Sequence, residues 1–333
     1  MRLRWIDTTQ GTAHGYATVA KEMRQTLATA GAAFGVDGTP DLLVGIGLPG
    51  AYENERHSPA LVWHTMLEVD ILPPGWVEWL NRAGLVWTPS AWVQDLFQRN
   101  GVIAPIMVCG YGIDPAVFHP NDRLAPGNRP MRFGVWSDAL RTRKHPELAV
   151  AAWLAADVPD ANLEVHLTDT TAAPFWVDSN GNELHHVRVT RGAWPQGKLA
   201  DWLRSLDCLI YLSGGEGFGL MPFEAMACGT PVVCAYNTGM TDYLTDANAV
   251  LVRRHSSEPA WTYTARFGPN YLPQQLLPDF DEAVAAIRWA SDNRDGALRD
   301  RGGQAAKDIA PRTWAAIGHN AYGLLVNHKV TAQ

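Results

Sequence analysis

Short apolar runs alternate along the whole chain with stretches whose apolar residues recur every three or four positions. Residues 3–6, 42–46, 85–88 and 106–109 read as strands. Between the first two, Val19, Met23 and Leu27 lie at i, i+4 and i+8, a helical spacing that stops near Gly31. Ser90 has the side chain to cap a helix through AWVQDLFQRN, with Gly101 just past its end. Three prolines, a glycine and no apolar period mark HPNDRLAPGNRP (119–130) as a linker. A second series follows, with strands at 131–136, 163–167, 187–190 and 208–212 and again at VVCAY. Its helices fall at 147–156, 198–206 and 282–291, with a short one at LMPFEAMAC and a last amphipathic one from Pro311. Strand–helix alternation of this kind predicts parallel α/β sheets. The expected organisation is an N-terminal Rossmann-like domain over 1–122, a linker at 123–130 and a C-terminal Rossmann-like domain over 131–310. The segment 311–333 is expected to return to the first domain.

The length of 333 residues is more than one hydrophobic core holds, in keeping with two domains. The balance of 47% hydrophobic and 18% charged residues is that of a soluble globular chain. A net charge of −7 argues against binding to nucleic-acid phosphates. Residues 1–122 carry 7 Lys+Arg against 12 Asp+Glu, so the first part gives no electrostatic reason to dock on anionic lipid. No apolar run is long enough to span a bilayer, and MRLRWIDTTQ lacks a signal-peptide core. Cys109, Cys208, Cys228 and Cys234 sit singly in apolar segments, as small core residues of a reducing compartment. The expected location is the cytoplasm.

The candidate chemistry sits in SGGEGFGLMPFEAMACGTPVV, residues 213–233. A buried-strand run ends at Ser213, four glycines allow a sharp turn, and Pro222 falls in the first turn of a short helix. Strand, glycine turn and helix N-terminus together present backbone N–H groups to an anion. Glu216 and Glu224 cannot be ligands of that anion, because like charges repel. Carboxylates beside a phosphate site suit hydroxyls, as the acid that grips ribose does in dinucleotide sites. Two acids around one turn therefore predict a nucleotide-sugar, with hydroxyls at both ends of a diphosphate. Each acid also has a bland reading, Glu224 as a dipole-favourable acid in the third helical position and Glu216 as a solvated loop residue.

EGFGLMPFEAMACGTPVV resembles the Glu-x7-Glu signature of GT-B glycosyltransferases, specifically the retaining group called glycosyltransferase family 4. The resemblance extends to GYGIDPAVFHP, which is similar to the end of that family's N-terminal domain. It continues through GVWSDALRTRKHPELAVAAW and TDYLTDANAVLV, similar to segments before and after the signature. It implies a GT-B fold, two Rossmann-like domains facing each other across a cleft. It implies transfer of a sugar, with retained configuration, from a nucleoside-diphosphate sugar to an acceptor hydroxyl of a glycan, lipid, protein or small molecule. It further implies that Glu216 meets the donor sugar, that Glu224 meets the ribose diol, and that the turn Gly217–Phe218–Gly219–Leu220 faces sugar and phosphate. The leaving diphosphate would be offset by Lys144 and an arginine. Where the family more often has that arginine this chain has Asp138 and Ala139, so Arg143 or Arg141 must replace it. A solvated basic turn is the plain alternative for RTRK.

In the first domain, Gly15 and Tyr16 stand where the family has a glycine loop lining the cleft, although a plain tight turn fits them nearly as well. VWHTMLEVDILPPGW resembles the segment whose histidine or acid touches the transferred sugar, giving His64 and then Glu68 as candidates. A lone histidine after an apolar run is otherwise a core residue. No cofactor and no metal are expected. GIGLPG (45–50) matches a dinucleotide fingerprint without the helix it needs, DFD (279–281) reads as a helix cap, and His185-His186 has no partner at metal-ligand spacing. Two alternatives to a transferase remain, a nucleotide-sugar epimerase on the same fold and a degenerate protein that only binds nucleotide-sugar.

Overall fold

The computed structural model describes residues 1–9, 14–35, 39–50, 58–121, 129–140, 142–170, 184 and 186–332. The first lobe runs β1 (Arg2–Asp7), α1 (His14–Thr29), β2 (Ala33–Phe34), β3 (Leu42–Ile46), β4 (Ser58–His64), α2 (Trp76–Leu80), β5 (Ala83–Thr88), α3 (Ala91–Arg99) and β6 (Ile106–Val108). Its strands form one sheet in the order β2-β1-β3-β4-β5-β6, parallel throughout. The second lobe begins with β7 (Met131–Ser137), α4 (Pro146–Ala156), β8 (Ala161–Leu167), β9 (Val187–Arg191), α5 (Gln196–Ser205), β10 (Cys208–Tyr211), α6 (Leu220–Ala227), β11 (Val232–Ala235) and β12 (Val250–Val252). These strands form a second parallel sheet, β12-β11-β10-β7-β8-β9.

An arm follows that belongs to neither sheet, β13 (His255–Pro259), α7 (Trp261–Phe267) and β14 (Gln274–Pro278), its strands antiparallel. The chain closes with α8 (Phe280–Asp292), α9 (Ala297–Ile309) and α10 (Trp314–Ala332). α10 lies on the first lobe, where Tyr322 Oη is 3.2 Å from the Met1 amine and Lys329 Nζ is 2.8 Å from Asp41. Backbone crosses between the lobes at two adjacent places, joined where Ile113 N–H donates to Arg312 O and Trp314 N–H donates to Ile113 O.

β3, β10 and β11 are buried along their whole length, which is why they appear as unbroken apolar runs rather than alternating ones. One core continues from α1 and β3 of the first lobe through Tyr111 and Phe218 into α5, α6 and α9 of the second. A second lies between α4, α8 and the second sheet, and a third covers the outer face of the first sheet.

Several elements went unread in the sequence. α9 holds Gly302 and Gly303 in its interior, which weaken helix propensity and hide the pattern. Gly302 is there for space, since a Cβ would come within 2.5 Å of Gly229 O. The last helix starts at Trp314 rather than Pro311, because Thr313 Oγ1 accepts from Ala316 N–H and caps it. Ser90 and Asp279 cap α3 and α8 as read, accepting from Val93 and Glu282 N–H. The four cysteines are buried, and no disulfide joins them.

Candidate active site between the lobes

β10 sits at the centre of the second sheet and ends at the glycine turn, which α6 leaves buried on nearly every side. Gly219 precedes α6 with φ of 88°, a left-handed conformation that a side chain would strain. The other glycines make room for protein rather than for ligand. A Cβ on Gly215 would stand 2.2 Å from Glu68 O of the facing lobe, and Gly214 and Gly217 are hemmed in the same way by Leu276 O and Met66 Sδ. At Gly215 and Gly217 the turn thus packs directly on the facing lobe, and Ser90 Oγ fastens it by donating to Gly217 O at 2.7 Å.

Beneath the turn lies a cavity of about 290 Å³ walled by both lobes. From the first lobe it takes Gly15, Tyr16, Met66, Glu68 and Tyr111. From the second it takes Trp136, Asp138, Arg143, Lys144, His166, Trp194, Tyr211, Glu216, the Phe218–Met221 segment and Glu224. Leu220 to Pro222 open α6, whose first-turn N–H groups have no partner within the helix.

Glu216 is buried inside a network. Its Oε1 accepts from Tyr211 Oη at 2.7 Å and from Ser213 Oγ at 2.9 Å. Arg143 approaches both carboxylate oxygens at 3.4 Å, and Lys144 Nζ stands 3.5 Å away. Burial alone would favour the acid form, but Arg143 and Lys144 outweigh it and hold Glu216 below the usual carboxylate range. Arg143 also donates to Glu68 Oε1 at 3.2 Å across the cleft, so one guanidinium joins acids of both lobes. Against the cost of burial, Glu216 and Glu68 keep it cationic. Lys144 donates to Tyr211 Oη at 3.2 Å and lies over the Trp136 ring. Asp138 works as a further counter-charge. Despite its burial, Lys144 and Arg143 depress its pKa.

Glu224 lies on the same cavity without such company. It falls in the second turn of α6, not at the third helical position, because the helix begins at Leu220. Burial alone pushes its carboxyl up to about 8, so it is protonated at neutral pH.

In the facing lobe, Glu68 reaches the cavity and His64 does not. His64 is 1% exposed, with Nδ1 3.1 Å from Trp87 O and Nε2 2.9 Å from Tyr111 Oη. Burial lowers its pKa to about 3, so it is a neutral core residue behind Tyr111. His64, expected to touch a transferred sugar, is thus not among the residues that line the cavity. Tyr16 lines the cavity and accepts from Met66 N–H at 3.2 Å, beside the exposed Gly15. Arg141 lies outside the described residues, as do His185 and most of the 119–130 stretch, whereas Arg143 lines the cavity beside Glu216.

Sequence reasoning missed Tyr211, Trp136, Tyr111, Trp194 and Tyr263. The first two lie near the ends of strands, Tyr211 at the end of β10 before the glycine turn and Trp136 near the end of β7 before the loop that carries Arg143 and Lys144. Tyr263, which donates a hydrogen bond to Glu68, comes from the arm and gave no signal. No grouping of three or more His, Cys, Asp or Glu suited to a metal occurs among the described residues. No helix among them is long and apolar enough to cross a membrane.

Residues 179–261, which contain the turn and α6, match the family model described as glycosyl transferases group 1. The chain is 29% identical over 230 residues to a D-inositol 3-phosphate glycosyltransferase of Kribbella flavida, covering 62% of this chain and 47% of the relative. It is 31% identical over 169 residues to one of Stackebrandtia nassauensis, covering 45% and 38%. The chain thus spans less than half the length of these curated relatives. Among solved structures, sucrose-phosphate synthase from Thermosynechococcus elongatus superposes with a TM-score of 0.72 at 15% identity over 100% of both chains. Anabaena HepE in complex with UDP-glucose gives 0.66 at 16% identity over 98% of this chain and 99% of that one. The fold is the GT-B architecture that these solved glycosyltransferases share, and the signature region is similar to glycosyl transferases group 1.

Proposed function

We propose that this chain, a GT-B scaffold, moves a sugar with retained configuration from a nucleoside-diphosphate sugar to an acceptor hydroxyl. The observation that carries the reading is the convergence of Arg143, Lys144, Glu216, Glu224 and the first turn of α6 on one cavity between the lobes. In this reading the diphosphate lies against the α6 N-terminus, with Arg143 and Lys144 offsetting its charge as the bond to the sugar breaks. Glu216 accepts from hydroxyls of the sugar and Glu224 from the ribose diol. The anomeric carbon parts from the β-phosphate oxygen while the acceptor oxygen bonds to it on the same face. The acceptor's proton passes to that departing oxygen, so no protein nucleophile is required. Glu68, Tyr16 and Gly15 form the acceptor side.

Because two side-chain cations and a helix terminus offset the leaving charge, turnover is proposed to persist in EDTA. UDP-sugars are the first donors to test, since the Anabaena neighbour was solved with UDP-glucose. A screen of UDP-, GDP- and ADP-sugars with EDTA present, followed by Lys144→Ala, tests the reading. The variant should lose about 10²–10³-fold in turnover and bind donor more weakly. Unchanged turnover in Lys144→Ala sinks the assignment. An epimer formed from donor alone would point to an epimerase instead, and no affinity for any donor to a binding site that has degenerated.

A further inference from the structure

The arm β13–α7–β14 stands outside both sheets yet is fastened to both walls of the cavity. On the second-lobe side, Leu276 N–H of β14 donates to Gly214 O at 3.0 Å, and Gly214 N–H in turn donates to Arg143 O at 2.6 Å. His145 Nε2 lies 3.2 Å from Leu276 O. On the first-lobe side, Gln274 and Asp70 exchange hydrogen bonds, Gln274 N–H to Asp70 Oδ1 at 2.7 Å and Asp70 N–H to Gln274 O at 3.2 Å. Tyr271 Oη donates to Ile71 O at 2.5 Å, and Phe267 meets the Trp76 ring edge-on at 5.8 Å. Ala260 and Tyr271 are buried in the core of the first lobe although they belong to a segment of the second.

The arm delivers one polar side chain toward the site. Tyr263 Oη donates to Glu68 Oε2, while Glu68 Oε1 accepts from Arg143 at 3.2 Å. Arg143 then meets Glu216 with its remaining N–H groups. The order Tyr263–Glu68–Arg143–Glu216 crosses the cleft twice. Each carboxylate oxygen of Glu68 has its own donor, so the tyrosine fixes which way the other oxygen faces.

We propose that Tyr263 is a positioning residue for Arg143, acting through Glu68, and that the arm exists to set this cation. The proposal rests on the glycosyltransferase reading of the site. Without the pull from Glu68, Arg143 settles fully onto Glu216 and occupies the oxygens that sugar hydroxyls would need. Without Tyr263, Glu68 is free to rotate and to pair more closely with Arg143, so that it competes with an incoming diphosphate. Both losses weaken diphosphate binding and leave a nucleoside monophosphate, which lacks the outer phosphate, nearly unaffected. Burial and the neighbouring Glu68 keep the Tyr263 hydroxyl protonated, as a donor must be.

The test uses the full chain with UDP and UMP as probes in calorimetry, and the Arg143 Nε–H resonance, assigned by its loss in Arg143→Lys, as a readout that needs no ligand. Tyr263→Phe should weaken UDP about tenfold, the worth of one charge-assisted hydrogen bond, and leave UMP within about twofold. Glu68→Gln should weaken UDP by at least as much. In an Arg143→Ala background Tyr263→Phe should add nothing, since the coupling runs through the missing guanidinium. In the unliganded protein, Tyr263→Phe should speed solvent exchange of the Arg143 Nε–H. An unchanged UDP affinity, an equal loss for UMP, or a loss that persists without Arg143 overturns the proposal. If wild-type protein binds no nucleoside diphosphate, the glycosyltransferase reading fails, and the Arg143 resonance alone decides the positioning role. Should Tyr263→Phe fail to fold, the same measurements on Glu68→Gln decide it.

Discussion

Two ends of one cavity hold the same kind of side chain in opposite states. At one end Glu216 is buried with Arg143, Lys144, Tyr211 and Ser213 around it, and its pKa is depressed. At the other, Glu224 is equally buried, eight positions later in the chain, and its pKa rises to about 8. Burial pushes both the same way, so neighbours alone make the difference. The charged end is a finished network that a ligand must rearrange. The Glu224 end is an unfinished one that a hydroxyl-bearing ligand would complete.

The largest expected effect comes from breaking the charged end. Arg143→Ala leaves Glu68 and Glu216 facing each other without their shared cation, and should cost about 3–5 kcal/mol in chemical denaturation at pH 7. A loss under about 1 kcal/mol would mean that the network contributes little. Next comes the other end. An acid whose folded pKa is raised from 4.5 to about 8 binds more protons folded than unfolded, so its contribution falls as pH rises across that window. Glu224→Gln should therefore match wild type near pH 4.5 and be more stable at pH 9, by up to about 5 kcal/mol at about 1.4 kcal/mol per pH unit across that window. Melting curves with no pH-dependent gap would contradict this.

Binding sharpens the contrast further. A ribose diol that donates both hydroxyls needs the Glu224 carboxylate, so UDP affinity should climb by up to about tenfold per pH unit below pH 8 and level off above it. The Glu224→Gln variant, measured by calorimetry from pH 6 to 9, removes that part of the climb. A wild-type profile that matches the variant's would sever Glu224 from the ribose. The smallest effect belongs to the link between the walls. Ser90→Ala removes both the α3 cap and the hydrogen bond to Gly217 O, and should cost about 1–2 kcal/mol with little change at either acid.

What could be read beforehand follows from how the site is assembled. Glu216, Gly219 and Glu224 lie within one strand–turn–helix unit, so nine residues of sequence carried their relation, and Lys144 sits in a second such unit. Glu68 was readable only as a second choice after His64, because nothing local tells a cleft acid from a core histidine four residues earlier. Only Glu68 lines the cavity, while His64 is buried behind Tyr111, and burial is a property of the assembled lobes. Tyr263 lay beyond reach altogether. It meets Glu68 from 195 positions away, through an arm whose short strands and exposed Trp261 carry no clear period. Of the turn glycines only Gly219 has a left-handed backbone; Gly215 and Gly217 leave room for Glu68 and Met66 of the facing lobe, and Gly214 for Leu276 of the arm.

The return of α10 to the first lobe has a mechanical consequence. With Met1 beside Tyr322 and Lys329 bonded to Asp41, a force applied between the first strand and the last helix loads only the lobe that holds both. The second lobe hangs as a closed loop from the two neighbouring crossings at Ile113 and Trp314 and bears no tension. Stretched in an optical trap, such a molecule should give way first where α10 peels from α1, with the lobe that carries the glycine turn still folded.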